Sequence, residues 1–301
     1  MDDLHQELSR FSARRLRPGL PDDPRDADET RLRALEAAFL EGAREAVAAA
    51  AAEAPRSPEG FVAWYEGLRE TGPGQHDPLF PWLAERATLA QMRWFLQQEV
   101  AGEAGFDDLV ALTQVRMPVQ AKLELARNYW DEMGRGRAPA MHGPLLSDLA
   151  TALRVQADAR TTVWEALALS NLMAGLALDR RWAYHSIGAL GAIEMTAPGR
   201  VAQVDRGLLR LGVPKAARRY FTLHATLDVK HSEAWNREVL RPLAEEPRAA
   251  RAMAEGALMR LGAGARCFAR YRSELQPDGL AAATAPAVGS GVTAQASAMR
   301  A

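Results

Sequence analysis

A chain of 301 residues with 48% hydrophobic content can bury a sizeable core without metals or disulfides as staples. Its 37 basic and 38 acidic residues leave a formal charge of -1, which argues against a dedicated nucleic-acid surface. A single cysteine, Cys267, excludes an intramolecular disulfide and lacks the partners that thiol catalysis or structural zinc requires.

Residues 1–27 mix charges with Pro18, Pro21 and Pro24 and read as a flexible N-terminal arm. They lack the basic and apolar regions of a secretion signal, and no apolar stretch reaches the roughly 18 residues of a membrane span. A reducing cytoplasm and no membrane contact are the expectation. Alanine, leucine, glutamate and arginine then predict a helix from Glu29 to about Ala52, interrupted by Pro55 and Pro58. A short helix through Phe61, Trp64, Tyr65 and Leu68 follows, and another begins after His76. Further helices are expected near 88–115, 118–133, 142–154, 160–179, 182–196, 200–210, 215–243 and 248–273. Their separators carry Pro, Gly or polar residues, among them Pro118, Gly134, Pro198-Gly199, Gly212 and Pro247. Residues 275–301 lose all periodicity and read as a flexible tail. One helical domain over 28–274, folded as a bundle, is the economical arrangement, since no internal repeat supports a solenoid.

Several of these helices place acids or histidines on apolar faces. In 88–115, Met92, Leu96, Glu99, Glu103, Phe106 and Val110 fall near one face, so either acid could bridge or terminally ligate a metal. Glu99 could equally accept from an imidazole N–H. The next helix ends in Asp131 and Glu132, with Glu132 following Leu125 and Tyr129 and Asp131 about 100° away. His142 opens the following helix, where a cap or surface role competes with ligation. Glu194 shares a face with Ala183, Ile187 and Leu190, and its nearest basic residue is Arg200, so its partner is either metal or an arginine from another helix. His224, Asp228 and His231, spaced by four and three residues, lie along one helical face with Phe221, Leu227 and Trp235 beside them. A divalent metal would compensate three such groups, whereas an exposed histidine–aspartate pairing is the plainer reading.

Together Glu103, Glu132, His142, Glu194, His224, Asp228 and His231 supply four carboxylates and three imidazoles, an inventory suited to two iron or manganese ions. The segments Gln98–Phe106, Tyr129–Gly134 with His142, Gly191–Pro198 and His224–His231 resemble the iron-containing redox enzymes of the haem-oxygenase-like di-iron oxidase superfamily, which shares its fold with thiaminase-type proteins. The resemblance covers roughly 60–273. It implies an all-α, haem-oxygenase-like seven-helix bundle, here with an additional N-terminal helix, holding two Fe2+ ions on those seven residues, with Glu99 as the fallback for Glu103. It further implies dioxygen as co-substrate, reduced to a peroxo-di-ferric species, and N-oxygenation, oxidative desaturation or cleavage of a small amine or amino-acid-like metabolite. Many six-ligand members carry a histidine close behind the early acid in the same helix. This chain does not, so His142 would take that role.

An external reductant or a separate electron donor is expected, because Gly134-Arg-Gly-Arg and Leu261-Gly-Ala-Gly-Ala are not in the context of a nucleotide-binding loop. Homodimerisation stays open. Trp94, Phe106, Tyr129, Met133, Trp164, Tyr184 and Trp235 are candidate cavity residues, Tyr184 and His185 candidate proton carriers, and Arg127, Arg200, Arg206 and Arg210 candidate carboxylate anchors. Two alternatives remain at this level: an enzyme on the same fold that uses no cofactor or an organic one, and a non-catalytic helical interaction protein.

Overall fold

Residues that lose little rotamer freedom in a helix dominate this chain, and no strand occurs among the described residues. The computed structural model describes residues 1–23, 28–103 and 105–275. In chain order the helices are α1 (Asp2–Leu16), α2 (Glu29–Ala51), α3 (Pro58–Thr71), α4 (Leu79–Glu85), α5 (Leu89–Gly102), α6 (Phe106–Thr113) and α7 (Val119–Glu132). There follow α8 (His142–Leu153), α9 (Trp164–Leu178), α10 (Ala183–Arg210), α11 (Arg219–Trp235), a π-helical turn at Asn236–Leu240, α12 (Arg241–Leu243) and α13 (Pro247–Leu275). The result is an all-α bundle. None of the described helices is long and apolar enough to cross a membrane.

The bundle is built around α10, which packs on α13, α11, α4 and α9. Close approach of α10 and α13 depends on two glycines. A Cβ on Gly188 would lie 1.9 Å from the Met253 carbonyl oxygen, and a Cβ on Gly256 would lie 1.9 Å from that of His185. The two backbones therefore touch at this crossing, which sets the depth to which α10 sits in the molecule. Two apolar clusters flank it. One gathers Phe61, Tyr65, Ile187 and Trp235, and the other Phe80, Phe95, Phe268 and Tyr271. Fully burying each such side chain contributes about 1.5–3 kcal/mol.

Four expectations change. Residues 2–16 are not a loose arm but α1, packed on α9 and α2. Its buried His5, Leu8, Phe11 and Ser12 recur at helical spacing beneath a charged composition, and the prolines all lie beyond its end. The His5 ring stacks on Trp164 with centroids 5.6 Å apart, and Asn171 donates to the His5 carbonyl at 2.9 Å. The expected helix 88–115 is two helices. It stops at Gly102, and Gly105, at φ +76°, adopts a left-handed conformation that glycine tolerates without steric cost. Conversely, Pro198-Gly199 does not break α10. Proline removes one N–H, depriving the Glu194 carbonyl of its usual helical donor, but packing on both sides keeps the helix continuous to Arg210. Finally, the helix expected over 215–243 starts at Arg219 and widens into the π turn after Trp235. Within the expected tail, Leu275 closes α13, and residues 276–301 lie outside the described residues.

Candidate metal centre

Local geometry delivers the polar groups to one place between the two apolar clusters. On α11 the four- and three-residue spacing directs His224, Asp228 and His231 inward, and all three are buried. Glu132 is the last residue of α7 and His142 the first of α8, so both project from the corner that joins them. That corner needs Gly134: at φ +60° its hypothetical Cβ would lie 2.5 Å from the Ala140 carbonyl carbon. Glu194 comes from the middle of α10 and is 1% exposed. Glu103 caps the end of α5 rather than continuing its face, and its Oε1 accepts the Phe106 N–H at 2.9 Å.

Glu132 stands between two groups of donors. His142 Nδ1 lies 2.9 Å and His224 Nε2 3.5 Å from its Oε2, and these two nitrogens are 3.1 Å apart. His231 Nδ1 lies 3.6 Å from its Oε1. Glu132, His142 and His224 form one triad whose donor atoms all lie within 4.8 Å of one another, and Glu132, Asp228 and His231 form a second. Glu194 and Glu103 sit at opposite edges. Glu194 Oε1 is 3.4 Å from His231 Nδ1, and Glu103 Oε1 is 3.8 Å from His142 Nε2. Neither Glu99 nor Asp131 belongs to a triad. Asp131 instead places Oδ2 3.3 Å from His231 Nε2, which turns the other ring nitrogen toward Glu132 and Glu194. Likewise the Tyr220 carbonyl, 2.7 Å from His224 Nδ1, requires the hydrogen there and leaves the Nε2 lone pair facing the cluster.

Burial and crowded acids shift the protonation of the cluster. Burial, then repulsion from Glu194 and Glu132, pushes the Asp228 carboxyl up to about 9. Burial alone would lower His231, but the adjoining Glu194, Glu132 and Asp131 carboxylates outweigh it and raise it to about 9. Burial likewise opposes ionisation of Glu132, yet the His142 and His224 imidazoles beside it hold it well below the usual carboxylate range. Asp228 Oδ1 and His231 Nδ1 are fully buried and have no hydrogen-bond partner among the described residues. Buried orphan donors in a set of imidazoles and carboxylates are what a pair of divalent cations would satisfy, so the residues present fit such a centre.

The iron-containing redox enzyme family profile matches residues 93–265, a span that includes all seven expected ligands. The chain belongs to that family. Solved structures similar to this family member include a protein of unknown function with a haem-oxygenase-like fold from Shewanella denitrificans, 15% identical, covering 72% of this chain and 91% of its own, with a TM-score of 0.53. A CADD-like protein of unknown function from Nostoc punctiforme is 18% identical, covering 80% of this chain and 98% of its own, also at 0.53. These likenesses establish the haem-oxygenase-like fold. No curated protein matched the sequence.

A cavity of about 100 Å³ opens on the cluster, with Phe106, Leu109, Leu169, Met173, Ile193 and Val201 in its apolar wall. Of the aromatic residues expected there, Phe106 is the one that lines it. Trp164 stacks on His5, Trp94 meets Tyr271 edge-on, and Trp235 belongs to the core. His185 faces Glu255 at 3.0 Å in a separate region, and Tyr184 is exposed. Arg127 pairs with Glu124, Arg206 with Glu85 at 3.4 Å, and Arg210 donates to main-chain carbonyls of Ala84 and Ala87. Arg200 donates to Thr196 Oγ1 at 3.0 Å and lies over the Phe80 and Phe268 rings.

Three participants were missed in the sequence. Asn128 donates to Glu194 Oε1 at 2.5 Å, Tyr220 brings its hydroxyl to 3.4 Å from His142 Nε2, and Arg260 enters the cavity from α13. Each carried a signal. Asn128 and Tyr220 stand one turn before Glu132 and His224, and Arg260 interrupts an apolar stripe.

Proposed function

We propose that this chain is a non-haem di-iron oxidase or oxygenase. Its activity would be N-oxygenation, oxidative desaturation or cleavage of a small amine or amino-acid-like metabolite. The observation that carries the reading is the sharing of Glu132 between two triads. A single carboxylate with one oxygen toward each set of donors could contribute to holding a cation on both sides of it.

His142 and His224 would serve one position, and Asp228 and His231 the other, with Glu194 and Glu103 closing the edges. Two ferrous ions held there would supply electrons for reducing dioxygen. The protein's own contribution is orientation. Asp131 and the Tyr220 carbonyl fix the two α11 imidazoles through their outward nitrogens, and Asn128 fixes Glu194. The Tyr220 hydroxyl, whose acidity is reduced by burial and by Glu103, Asp228 and Glu132, retains its proton beside His142 and can donate it toward the cavity. The apolar wall limits water around the reacting centre. Electrons for further turnovers would come from an external reductant.

Anaerobic titration with Fe(II), followed by metal counting, tests the reading. Two irons per chain and oxygen consumption on mixing with air are expected, and Glu132→Gln should weaken both positions together. Fewer than one iron per chain at saturation, or iron that does not react with oxygen, would sink it.

A further inference from the structure

The cluster leaves one cation of the cavity unused. Arg260 follows Met253 and Ala257 and precedes Gly264 and Cys267 on the inward face of α13, all four of them buried. Its side chain lines the same cavity as Glu132, His224 and Asp228. Nε is fully buried without a hydrogen-bond partner, and the guanidinium forms no ion pair with a described residue. Room is reserved for it, since a Cβ on Gly264 would lie 2.9 Å from Arg260 Nη1.

Arg218 and Arg15 within the bundle are matched: Arg218 donates to the Val213 carbonyl at 3.1 Å and pairs with Asp205 at 2.5 Å, and Arg15 pairs with Glu36 at 2.7 Å. Arg200 makes no ion pair with a described residue either, but its guanidinium is taken up by Thr196 Oγ1 and the Phe80 and Phe268 rings. The acids that influence Arg260 are occupied elsewhere, Glu103 with the Phe106 N–H and His142, and Glu99 with the Tyr271 hydroxyl. Burial lowers the Arg260 pKa, the sign of a charge held without a counterion. A planar fork of donors open to a cavity is matched by a carboxylate, which accepts two of its N–H groups side by side. A phosphate dianion fits less well, because the surrounding carboxylates would repel its second charge.

We propose that Arg260 is the anchor for a carboxylate on the organic substrate, so that the substrate is a small acid held with its other end toward the histidine–carboxylate cluster. The identity of that other end as the oxidised one rests on the di-iron reading, whereas the anchor itself does not.

Butyrate and the isosteric, uncharged butyramide are the probes, titrated calorimetrically under anaerobic conditions into metal-free and Fe(II)-loaded protein. Wild type should bind butyrate more tightly than butyramide in at least one of the two states. R260Q should weaken butyrate by about tenfold or more while leaving butyramide unchanged. R260K, which keeps the charge and loses the fork, should fall between them, and it carries the test if R260Q does not fold. Equal affinity for acid and amide in both states, or a preference that survives in R260Q, overturns the anchor. Inorganic phosphate bound more tightly than butyrate through Arg260 overturns its assignment to a carboxylate. Iron counts on the same samples keep the two readings apart. Loss of iron binding in wild type would remove the di-iron reading, while the acid–amide comparison on metal-free protein still decides Arg260.

Discussion

His231 is oriented from one side, Nε2 by Asp131, while its Nδ1 faces Glu194 and Glu132 at 3.4 and 3.6 Å without a hydrogen bond. Replacing it with alanine should lower iron stoichiometry or abolish oxygen reactivity while α11 stays helical, because alanine is the best helix former. Asp131→Ala removes the acceptor that orients His231, together with a surface pairing to Arg135, and should weaken iron affinity by about 10–100-fold without changing stoichiometry at saturation. Metal titrations with circular dichroism separate the two, and normal loading and reactivity in the His231 variant would remove it from the site. Protons should report on the same residues. The Asp228 carboxyl is raised from 3.8 to about 9 in the folded protein, so its penalty to metal-free stability grows as pH rises across that interval. His231, raised from 6.5 to about 9, stabilises fully below 6.5 and loses that contribution as pH climbs toward 9. Both act in one direction. Metal-free protein should lose stability between about pH 6.5 and 9 in urea melts, while iron affinity increases over the same range as the cation displaces these protons. Metal-free stability that rises with pH there would contradict the protonated cluster.

Helix placement governs how such residues meet. The α10–α13 crossing tolerates no side chain at Gly188, where a Cβ would fall 1.9 Å from the Met253 carbonyl. Gly188→Ala should cost about 1–3 kcal/mol or more, because the helices must separate. In contrast, Gly42 in α2 has nothing within 4 Å of its hypothetical Cβ, and Gly42→Ala should stabilise by about 0.5–1 kcal/mol. Thermal melts of the two variants should shift in opposite directions, and a neutral Gly188→Ala would disprove the close crossing. These elements also explain how far the sequence could be followed. Periodicity located α7, α8 and α13 within a few residues, because their apolar stripes are local. It divided α10 at Pro198 and ran α5 into α6, because a proline can be carried by neighbouring packing and a left-handed glycine can end a helix without altering the hydrophobic period. Helical faces singled out Glu103, Glu132, Glu194, His224, Asp228 and His231 as candidates, and the family resemblance added His142 and joined them as one set, whereas the central position of Glu132 was not legible, since it follows from the α7–α8 corner.

Across the whole molecule, α1 extends the bundle beyond residue 28. Leu8 and Phe11 are 1% and 2% exposed, and Arg15 pairs with Glu36 of α2. Removing residues 1–16 should therefore destabilise the protein by about 3 kcal/mol or more, from loss of two large apolar contacts alone. Chemical denaturation of the shortened chain measures this, and an unchanged midpoint would make α1 dispensable. The sequence by itself determined that the chain is helical and that His224, Asp228 and His231 share a face, because helical period fixes the relative directions of side chains a few residues apart. It also presented the four carboxylates and three imidazoles as one inventory. Only the tertiary structure decided that Glu132 stands between the triads, that Asp131 orients His231, that α1 docks on α9, and that Arg260 faces the cavity without an ion pair to any described residue. Those facts depend on distances between helices separated by long stretches of chain, which are set by the packing of glycines, corners and apolar faces rather than by any local spacing.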